Sequence, residues 1–306
     1  MSKIFSKIIS TGSYLPEKIL TNKDIEKIVD TSHEWIIDRT GIEQRHIASH
    51  EESSVDMAFK ASNEAVKKSN KDIQEIDMIV VATTTPERKF PSTAVLLQNQ
   101  LDLKNAFAFD VNAACTGFIY ALDIADKYIK IGAAKNVLVV GTEKITSLLD
   151  WKDRNTCVLF GDGAGAIILS DSDKPGIISN TIGSDGSYKD LLTVNTDPEF
   201  IEMKGNDVFK IAVNTLGKLA LDTLKKNNLT ADDLDWFIPH QANSRIITAI
   251  AKKINLPVEK IILTVNKHGN TSAASIPLAL DDANNRKLLK KDNLIILEAF
   301  GAGFTW

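Results

Sequence analysis

The sequence predicts an α/β protein made of two copies of one domain, and three observations carry that prediction. Short, β-branched apolar runs, Met78–Ala82, Asn136–Gly141 and Leu294–Leu297, read as strands buried on both faces. Helical patterns alternate with them; in one, about 208–226, Val213, Leu216, Ala220 and Leu224 recur at spacings of three and four and must face a core. The third observation is an internal echo. Lys68-Ser69-Asn70 leading to Glu75-Ile76-Asp77-Met78-Ile79-Val80 is answered, 158 residues later, by Lys226-Asn227-Asn228 leading to Asp233-Leu234-Asp235-Trp236-Phe237-Ile238.

A second echo sets Ala121-Leu122-Asp123 and the strand Asn136–Val140 against Ala279-Leu280-Asp281 and the strand Asn293–Leu297, at offsets of 158 and 157. Solenoid repeats have periods of about 20 to 50 residues, so two copies this far apart indicate a duplicated domain. The polar stretch Ser170-Asp171-Ser172-Asp173-Lys174-Pro175-Gly176 places the boundary near 172, giving halves 1–172 and 173–306.

Composition narrows the class. With 306 residues, 43% hydrophobic and 25% charged, the chain reads as a globular protein long enough for two core-bearing units. Its longest apolar runs fall far short of the roughly 20 residues of a spanning helix. Met1-Ser2-Lys3-Ile4-Phe5 reaches Thr11-Gly12-Ser13 without the apolar stretch of a secretory signal, which predicts a cytoplasmic protein. A net charge of -4 argues against general nucleic-acid binding while leaving room for a local basic patch. Two cysteines in a reducing compartment are a poor basis for a disulfide, so each is judged alone.

Cys115 lies in Phe107-Ala108-Phe109-Asp110-Val111-Asn112-Ala113-Ala114-Cys115-Thr116-Gly117, where a strand runs through small residues into a helix, Phe118–Ile131. At such an elbow the positive end of the helix dipole favours the thiolate, and small neighbours admit an acyl group. The competing reading is a cysteine buried as a small hydrophobe. That reading is preferred for Cys157, whose setting Thr156-Cys157-Val158-Leu159-Phe160 reads as an apolar strand. His240 ends the apolar strand of Trp236-Phe237-Ile238-Pro239-His240-Gln241-Ala242-Asn243 ahead of a helix, where open α/β sheets place their chemistry. Asn270 sits among tiny residues in His268-Gly269-Asn270-Thr271-Ser272-Ala273-Ala274-Ser275; alone, it would pass as a turn. Gly161-Asp162-Gly163-Ala164-Gly165 lacks the spacing and Lys-Ser/Thr ending of a phosphate loop and reads as close backbone packing. His33, His46, His50 and His268 receive no role, and no cluster has metal-ligand spacing.

Taken together, Cys115, Pro239-His240-Gln241-Ala242-Asn243 and His268-Gly269-Asn270-Thr271-Ser272-Ala273 resemble, in order and wording, the Cys-His-Asn set of the β-ketoacyl-acyl carrier protein synthase III family. The resemblance extends from Thr11-Gly12-Ser13-Tyr14-Leu15-Pro16 and Arg39-Thr40-Gly41-Ile42 to Phe300-Gly301-Ala302-Gly303-Phe304-Thr305-Trp306. It implies a thiolase-like fold, two halves each built on a five-stranded mixed sheet in an α-β-α-β-α layering. It implies that Cys115 takes an acyl group from a short acyl-CoA, with acetyl-CoA foremost, and that malonyl-acyl carrier protein loses carbon dioxide to give the attacking enolate. His240 and Asn270 would hold the malonyl thioester carbonyl, and the N–H groups of Cys115 and Ala302 would form the oxyanion hole. The family often has Gly where Ala302 stands. No cofactor is implied, since both thioesters are substrates.

By the same resemblance, Trp35 and Arg154 match residues that sandwich an adenine, and Thr31, Arg39 and Asn243 match further CoA contacts. Lys210, Arg245, Lys252 and Lys253 match the basic surface that docks acidic acyl carrier protein. Phe90 matches a residue that reaches the partner subunit's acyl tunnel, so a homodimer is expected. The family continues past Phe-Thr-Trp with a short strand whose absence would leave backbone groups unpaired. Competing readings are another condensing enzyme with the same set, such as a polyketide or alkyl-quinolone starter synthase, a Cys-His hydrolase releasing free acid, and a noncatalytic subunit, which predicts a lost nucleophile.

Overall fold

The computed structural model describes residues 4–306; Met1, Ser2 and Lys3, on which the reading of the N-terminus begins, lie outside it. The chain runs β1 (Phe5–Tyr14), β2 (Lys18–Thr21), α1 (Asn22–Ile25), α2 (His33–Thr40), β3 (Gln44–Ile47), α3 (Ser54–Ser69), β4 (Met78–Ala82), α4 (Thr93–Gln100), β5 (Phe107–Val111), α5 (Gly117–Lys130), β6 (Asn136–Glu143) and β7 (Gly163–Ser172). It continues through β8 (Leu192–Val194), β9 (Ile201–Met203), α6 (Gly205–Lys226), β10 (Trp236–Pro239), α7 (Ser244–Lys253), α8 (Val265–His268), α9 (Ser275–Asn285) and β11 (Ile295–Glu298).

The first half carries a five-stranded mixed sheet in the order β1-β7-β6-β4-β5. Strands β4, β5 and β6 are parallel, while β7 runs antiparallel to both β6 and β1. Side chains alternate across it, as the pleat requires. Ile79 and Val81 join the core formed with Met57, Ala61 and Leu97 of α3 and α4. Met78, Val80 and Ala82 join a second core with Phe118 and Leu122 of α5 and Ile276 and Ala279 of α9, and Ile238 of β10 enters it from the far side. The next residue along, Phe237, faces a third core with Leu216 and Ala220 of α6 and Ile247 and Ile250 of α7. The layers are therefore α3/α4, sheet, α5/α9, β10/β11 and α6/α7, the order implied by the resemblance.

The echo is structural. Met78 pairs with Val137 and Trp236 with Ile295, each residue of the second pair lying 158 positions beyond its counterpart. The strand offset of 157 is thus corrected to 158, because register rather than the shared asparagine sets equivalence. Helix α6 also differs from expectation: its buried stripe is Val208, Ala212, Leu216, Ala220 and Leu224, a spacing of four, with Val213 at the margin. Five strands were expected in the second half, yet β10 and β11 pair only with each other as a ladder. A groove of about 830 Å³ runs along β11, where the ladder stops, lined by Ile177, Leu224, Ile295, Leu297 and Trp306 among others.

The glycine run serves packing. A Cβ on Gly165 of β7 would stand 2.7 Å from the backbone of Pro277 and Leu278, so α9 lies against this strand at backbone contact. Gly165→Ala is expected to lose about 1–3 kcal/mol of stability, the usual cost of forcing an atom into a filled core. Urea denaturation measures this directly, and an unchanged midpoint would contradict the close approach.

Candidate active site

The parallel strands β4, β5, β6, β10 and β11 deliver their C-terminal ends toward the polar residues of interest, as open α/β sheets do with their sites. After β5 the chain makes a single 3-10 turn, Ala114–Thr116, before α5 begins, and Cys115 sits in it, 8% exposed. Ala114 adopts a left-handed conformation at φ 48°, rare for a residue with a side chain. The equivalent residue of the second half, Ser272, does the same at φ 47° and opens the turn Ser272–Ala274 before α9. The two turns pack against each other.

His240 follows β10 and is buried. Its backbone N–H donates to the Glu298 carbonyl at 2.7 Å, and its Nδ1 lies 2.6 Å from the hydroxyl of Ser275. That hydroxyl also accepts the Gln241 N–H at 3.3 Å. When it gives its own proton to Nδ1, the neutral ring carries its proton on Nε2, a donor. Burial pushes the imidazole down to about 3, so it stays neutral at ordinary pH.

Asn270 is held at both backbone ends: its N–H donates to Leu159 O at 2.9 Å and its carbonyl accepts from Gly161 at 3.0 Å. Its side-chain oxygen accepts the Ser272 N–H at 2.9 Å. With Oδ1 engaged, the Nδ2 end is the one free to donate. One short segment thus links the three residues. Asn270 lies on it, the turn that Ser272 opens packs against the turn of Cys115, and Ser275 hydrogen-bonds with His240.

The electrostatics of Cys115 depart from the sequence reading. The helix end was expected to draw its pKa down, whereas burial pushes the thiol up to about 12. The Ser272 hydrogen bond pulls it back and the nearby charge of Glu143 pushes it further up. Desolvation of the thiolate outweighs the helix end because the residue is buried. Cys157 also departs: it lies in a run of turns rather than a strand, at 0% exposure, and burial raises it to about 11. The two thiols are alike in pKa and differ in surroundings.

The C-terminal loop closes over the Cys115 turn. Thr116 Oγ1 donates to Thr305 O and Thr305 Oγ1 to Ala113 O, each at 3.1 Å. A Cβ on Gly301 would come within 2.7 Å of Ala113 O, so this approach requires glycine. Ala302 follows in the same loop, and no hydrogen bond among the described residues engages its N–H.

The residues matched to CoA contacts cluster at one rim. Trp35 and Arg39 lie four apart on α2, and the guanidinium carbons of Arg39 and Arg154 stand 5.5 and 5.3 Å from the Trp35 ring centroid. Arg154 is fixed by a bond to Asp30 O at 3.0 Å, next to Thr31, whose buried hydroxyl has no partner among the described residues. Asn243 caps α7 through its Oδ1 and donates to Arg39 O at 2.9 Å, so its side chain is structural as it stands. Arg245, Lys252 and Lys253 of α7 are exposed, as is Lys210 on the adjoining α6. Arg245 lies 5.7 Å from the Phe209 ring and Lys253 binds Asn214 at 2.9 Å, both residues of α6. Phe90 is 83% exposed.

Sequence reading missed three participants. Ser272 and Ser275 stood in a quoted motif without a role, and their only local signal is a serine-rich run between two apolar elements. Glu143, buried at the end of β6, carried the signal of a lone acid ending an apolar strand.

The profile of the family described as 3-Oxoacyl-[acyl-carrier-protein (ACP)] synthase III matches residues 109–186, and that of its C-terminal part matches 224–306. The beta-ketoacyl-[acyl-carrier-protein] synthase III of Xanthomonas oryzae pv. oryzae is 54% identical over 100% of this chain and 98% of its own length. That of Methylococcus capsulatus is 50% identical over 99% of this chain and 97% of its own. The crystal structure of 3-oxoacyl-[acyl-carrier-protein] synthase III from Aquifex aeolicus is similar at a TM-score of 0.96 and 50% identity, covering 98% of this chain and 97% of that one. The fold, the Cys-His-Asn order and identity at this level over the whole length agree: the chain belongs to the 3-oxoacyl-[acyl-carrier-protein] synthase III family.

Proposed function

We propose that this chain condenses a short acyl-CoA, acetyl-CoA foremost, with malonyl-acyl carrier protein, releasing CoA and carbon dioxide and yielding 3-oxoacyl-acyl carrier protein, the first condensation of fatty-acid synthesis. The observation that supports the reading is the joining of Cys115, His240 and Asn270 through the one segment 270–275. Cys115 attacks the acyl thioester, and the N–H groups of Cys115 and Ala302 receive the oxyanion. The acyl group stays on sulfur while CoA leaves. Malonyl-acyl carrier protein then binds with its thioester carbonyl toward His240 and Asn270. Decarboxylation puts negative charge on that oxygen, and two neutral donors stabilise it without a general base. The enolate attacks the acyl-cysteine and Cys115 is freed.

Thr31, Trp35, Arg39, Arg154 and Asn243 hold CoA, the indole and guanidinium planes taking the adenine between them. Admitting a ring requires Arg154 to part from Trp35. Halves 1–172 and 173–306 meet at the site, a homodimer places Phe90 at the partner's acyl tunnel, and the enzyme works in the cytoplasm without a cofactor.

Lys210, Arg245, Lys252 and Lys253 form the docking face for the acidic carrier protein. Arg245→Glu is expected to raise KM for malonyl-acyl carrier protein while leaving acylation by acyl-CoA as in the wild type. The change puts an acid in the first turn of α7, which favours the helix, so misfolding does not mimic the effect. Steady-state kinetics at low salt measures it, where charge steering is largest; an unchanged KM there would remove this face from docking.

Intact-protein mass spectrometry after incubation with a panel of acyl-CoA thioesters tests the proposal. A mass gain confined to short chains, followed by carbon dioxide release on adding malonyl-acyl carrier protein, is the expected result. No mass gain with any thioester would refute it. A polyketide priming ketosynthase that shares the fold at a TM-score of 0.96 and 36% identity makes a starter-synthase reading the alternative, and the same panel decides between them by the acyl chain preferred.

A further inference from the structure

Arg45 lies on β3, paired across the β2/β3 ribbon with Leu20, and it is fully buried. No carboxylate among the described residues pairs with it. Burial lowers its pKa to about 10, so it carries its charge at ordinary pH without a counter-ion. A buried cation of this kind is costly, and the mechanism above gives it no task. Its guanidinium is shared among three neutral oxygens. Nη1 donates to Asn22 Oδ1 at 2.9 Å and to Leu20 O at 3.2 Å, and Nη2 donates to Val158 O at 2.7 Å. Nε is buried with no partner among the described residues.

The two ends of that fork belong to different segments. Val158 immediately precedes Leu159, whose carbonyl accepts the Asn270 N–H at 2.9 Å, and Gly161 donates to Asn270 O at 3.0 Å. The stem of Arg45 lies against both sides of this bridge: a Cβ on Gly161 or on Gly269 would stand 3.0 Å from Arg45 Cβ. At the other end Asn22 is itself anchored. Its backbone N–H donates to Glu43 O at 3.2 Å and its amide nitrogen to Ile42 O at 2.7 Å. The Oδ1 of Asn270 is held only by Ser272, two residues along the same segment. Its bonds to residues 159 and 161 therefore place it relative to the other half, and Arg45 fixes the segment that makes them.

We propose that Arg45 is a positioning residue for the decarboxylation step, clamping the 158–161 segment to the β2/β3 ribbon so that the Asn270 amide meets the malonyl thioester carbonyl. The inference rests on the reading of Asn270 as a donor to that carbonyl. A planar guanidinium suits the task because it donates in two directions at once, holding Val158 O on one nitrogen and Asn22 and Leu20 on the other. Lysine keeps the charge but has a single nitrogen on a flexible stem, so it cannot span both sides in the same way. A donor displaced by about 1 Å costs about 10²-fold in rate, which makes the backbone behind Asn270 as consequential as the amide itself. No hydrogen bond among the described residues runs from Arg45 to the Cys115 turn or to the C-terminal loop, so acylation lies outside its reach.

Arg45→Lys is expected to slow carbon dioxide release from malonyl-acyl carrier protein by about 10²-fold, with KM for that substrate unchanged. Acylation by acetyl-CoA, followed by rapid-quench mass spectrometry, should stay within about threefold of wild type. A double-mutant cycle separates positioning from general support of the fold. In Asn270→Ala the amide is already gone, so adding Arg45→Lys should slow decarboxylation by less than about threefold more. Losses that multiply, equal loss of both half-reactions, or an unchanged decarboxylation rate in folded Arg45→Lys would each overturn the proposal. Asn22→Ala removes the acceptor at 2.9 Å and leaves the guanidinium in place. It should show the same split at about tenfold, and it decides the matter where Arg45→Lys does not fold: decarboxylation within about threefold of wild type then overturns the clamp. The single variant Asn270→Ala separates this from the reading beneath it. If it decarboxylates as fast as wild type, the donor assignment falls; if it is slow while Arg45→Lys is fast, the positioning role alone falls.

Discussion

Cys115→Ala and Cys115→Ser are expected to abolish covalent acylation by acyl-CoA, whereas Cys157→Ala is acylated as completely as the wild type. The contrast does not come from thiol acidity, since burial raises both, to about 12 and about 11. It comes from what surrounds each sulfur. Cys157 is packed among Ile36, Val158 and Phe237, with the buried Arg45 guanidinium close by, bound to Asn22 Oδ1 at 2.9 Å and Val158 O at 2.7 Å. No acyl group can reach it without opening that core. Cys115 stands after a strand, in the turn before a helix, where the Ser272–Ala274 turn packs against it. Serine at position 115 fails because a hydroxyl is a far weaker nucleophile without a base strong enough to ionise it. Intact mass measurement reads the result, and equal acyl incorporation by wild type and Cys115→Ala would end the assignment.

Asn270→Ala is expected to separate the half-reactions. The amide Nδ2 is one of two neutral donors facing the malonyl carbonyl, and loss of one such donor typically costs about 10²–10³ in rate, or about 2.7–4 kcal/mol of barrier. Decarboxylation and condensation should fall by that factor while acyl-enzyme accumulates. Acylation should persist because the helix end behind Cys115 is untouched. His240→Ala should behave likewise, losing the Nε2 donor that Ser275 orients. Single-turnover assays of each step provide the comparison, with thermal melting to establish that the fold is intact. Acylation lost as severely as decarboxylation in a folded Asn270→Ala protein would refute this division of labour.

Much of this was legible in the sequence, for a local reason. The periods of Met78–Ala82 and of the helix after Cys115 are properties of covalent neighbours, and a duplication repeats them at a constant interval whatever the fold does. The strand–turn–helix setting of Cys115 and the end-of-strand position of His240 follow from the same local geometry. What only the tertiary structure decided involves residues far apart in the chain. Thr156–Phe160 reads as a strand by composition, yet its backbone has no ladder to join and folds into turns. Arg154 reaches Trp35 across more than a hundred residues, and Glu143 reaches Ser272 across 129. The acidity of Cys115 went the same way. A helix terminus can be read from the elbow, but the desolvation that outweighs it is supplied by the 272–274 turn and the C-terminal loop closing from the other half. The free energy of a buried group depends on which partners and how much water surround it, and both are set by packing between distant segments rather than by the neighbours along the chain.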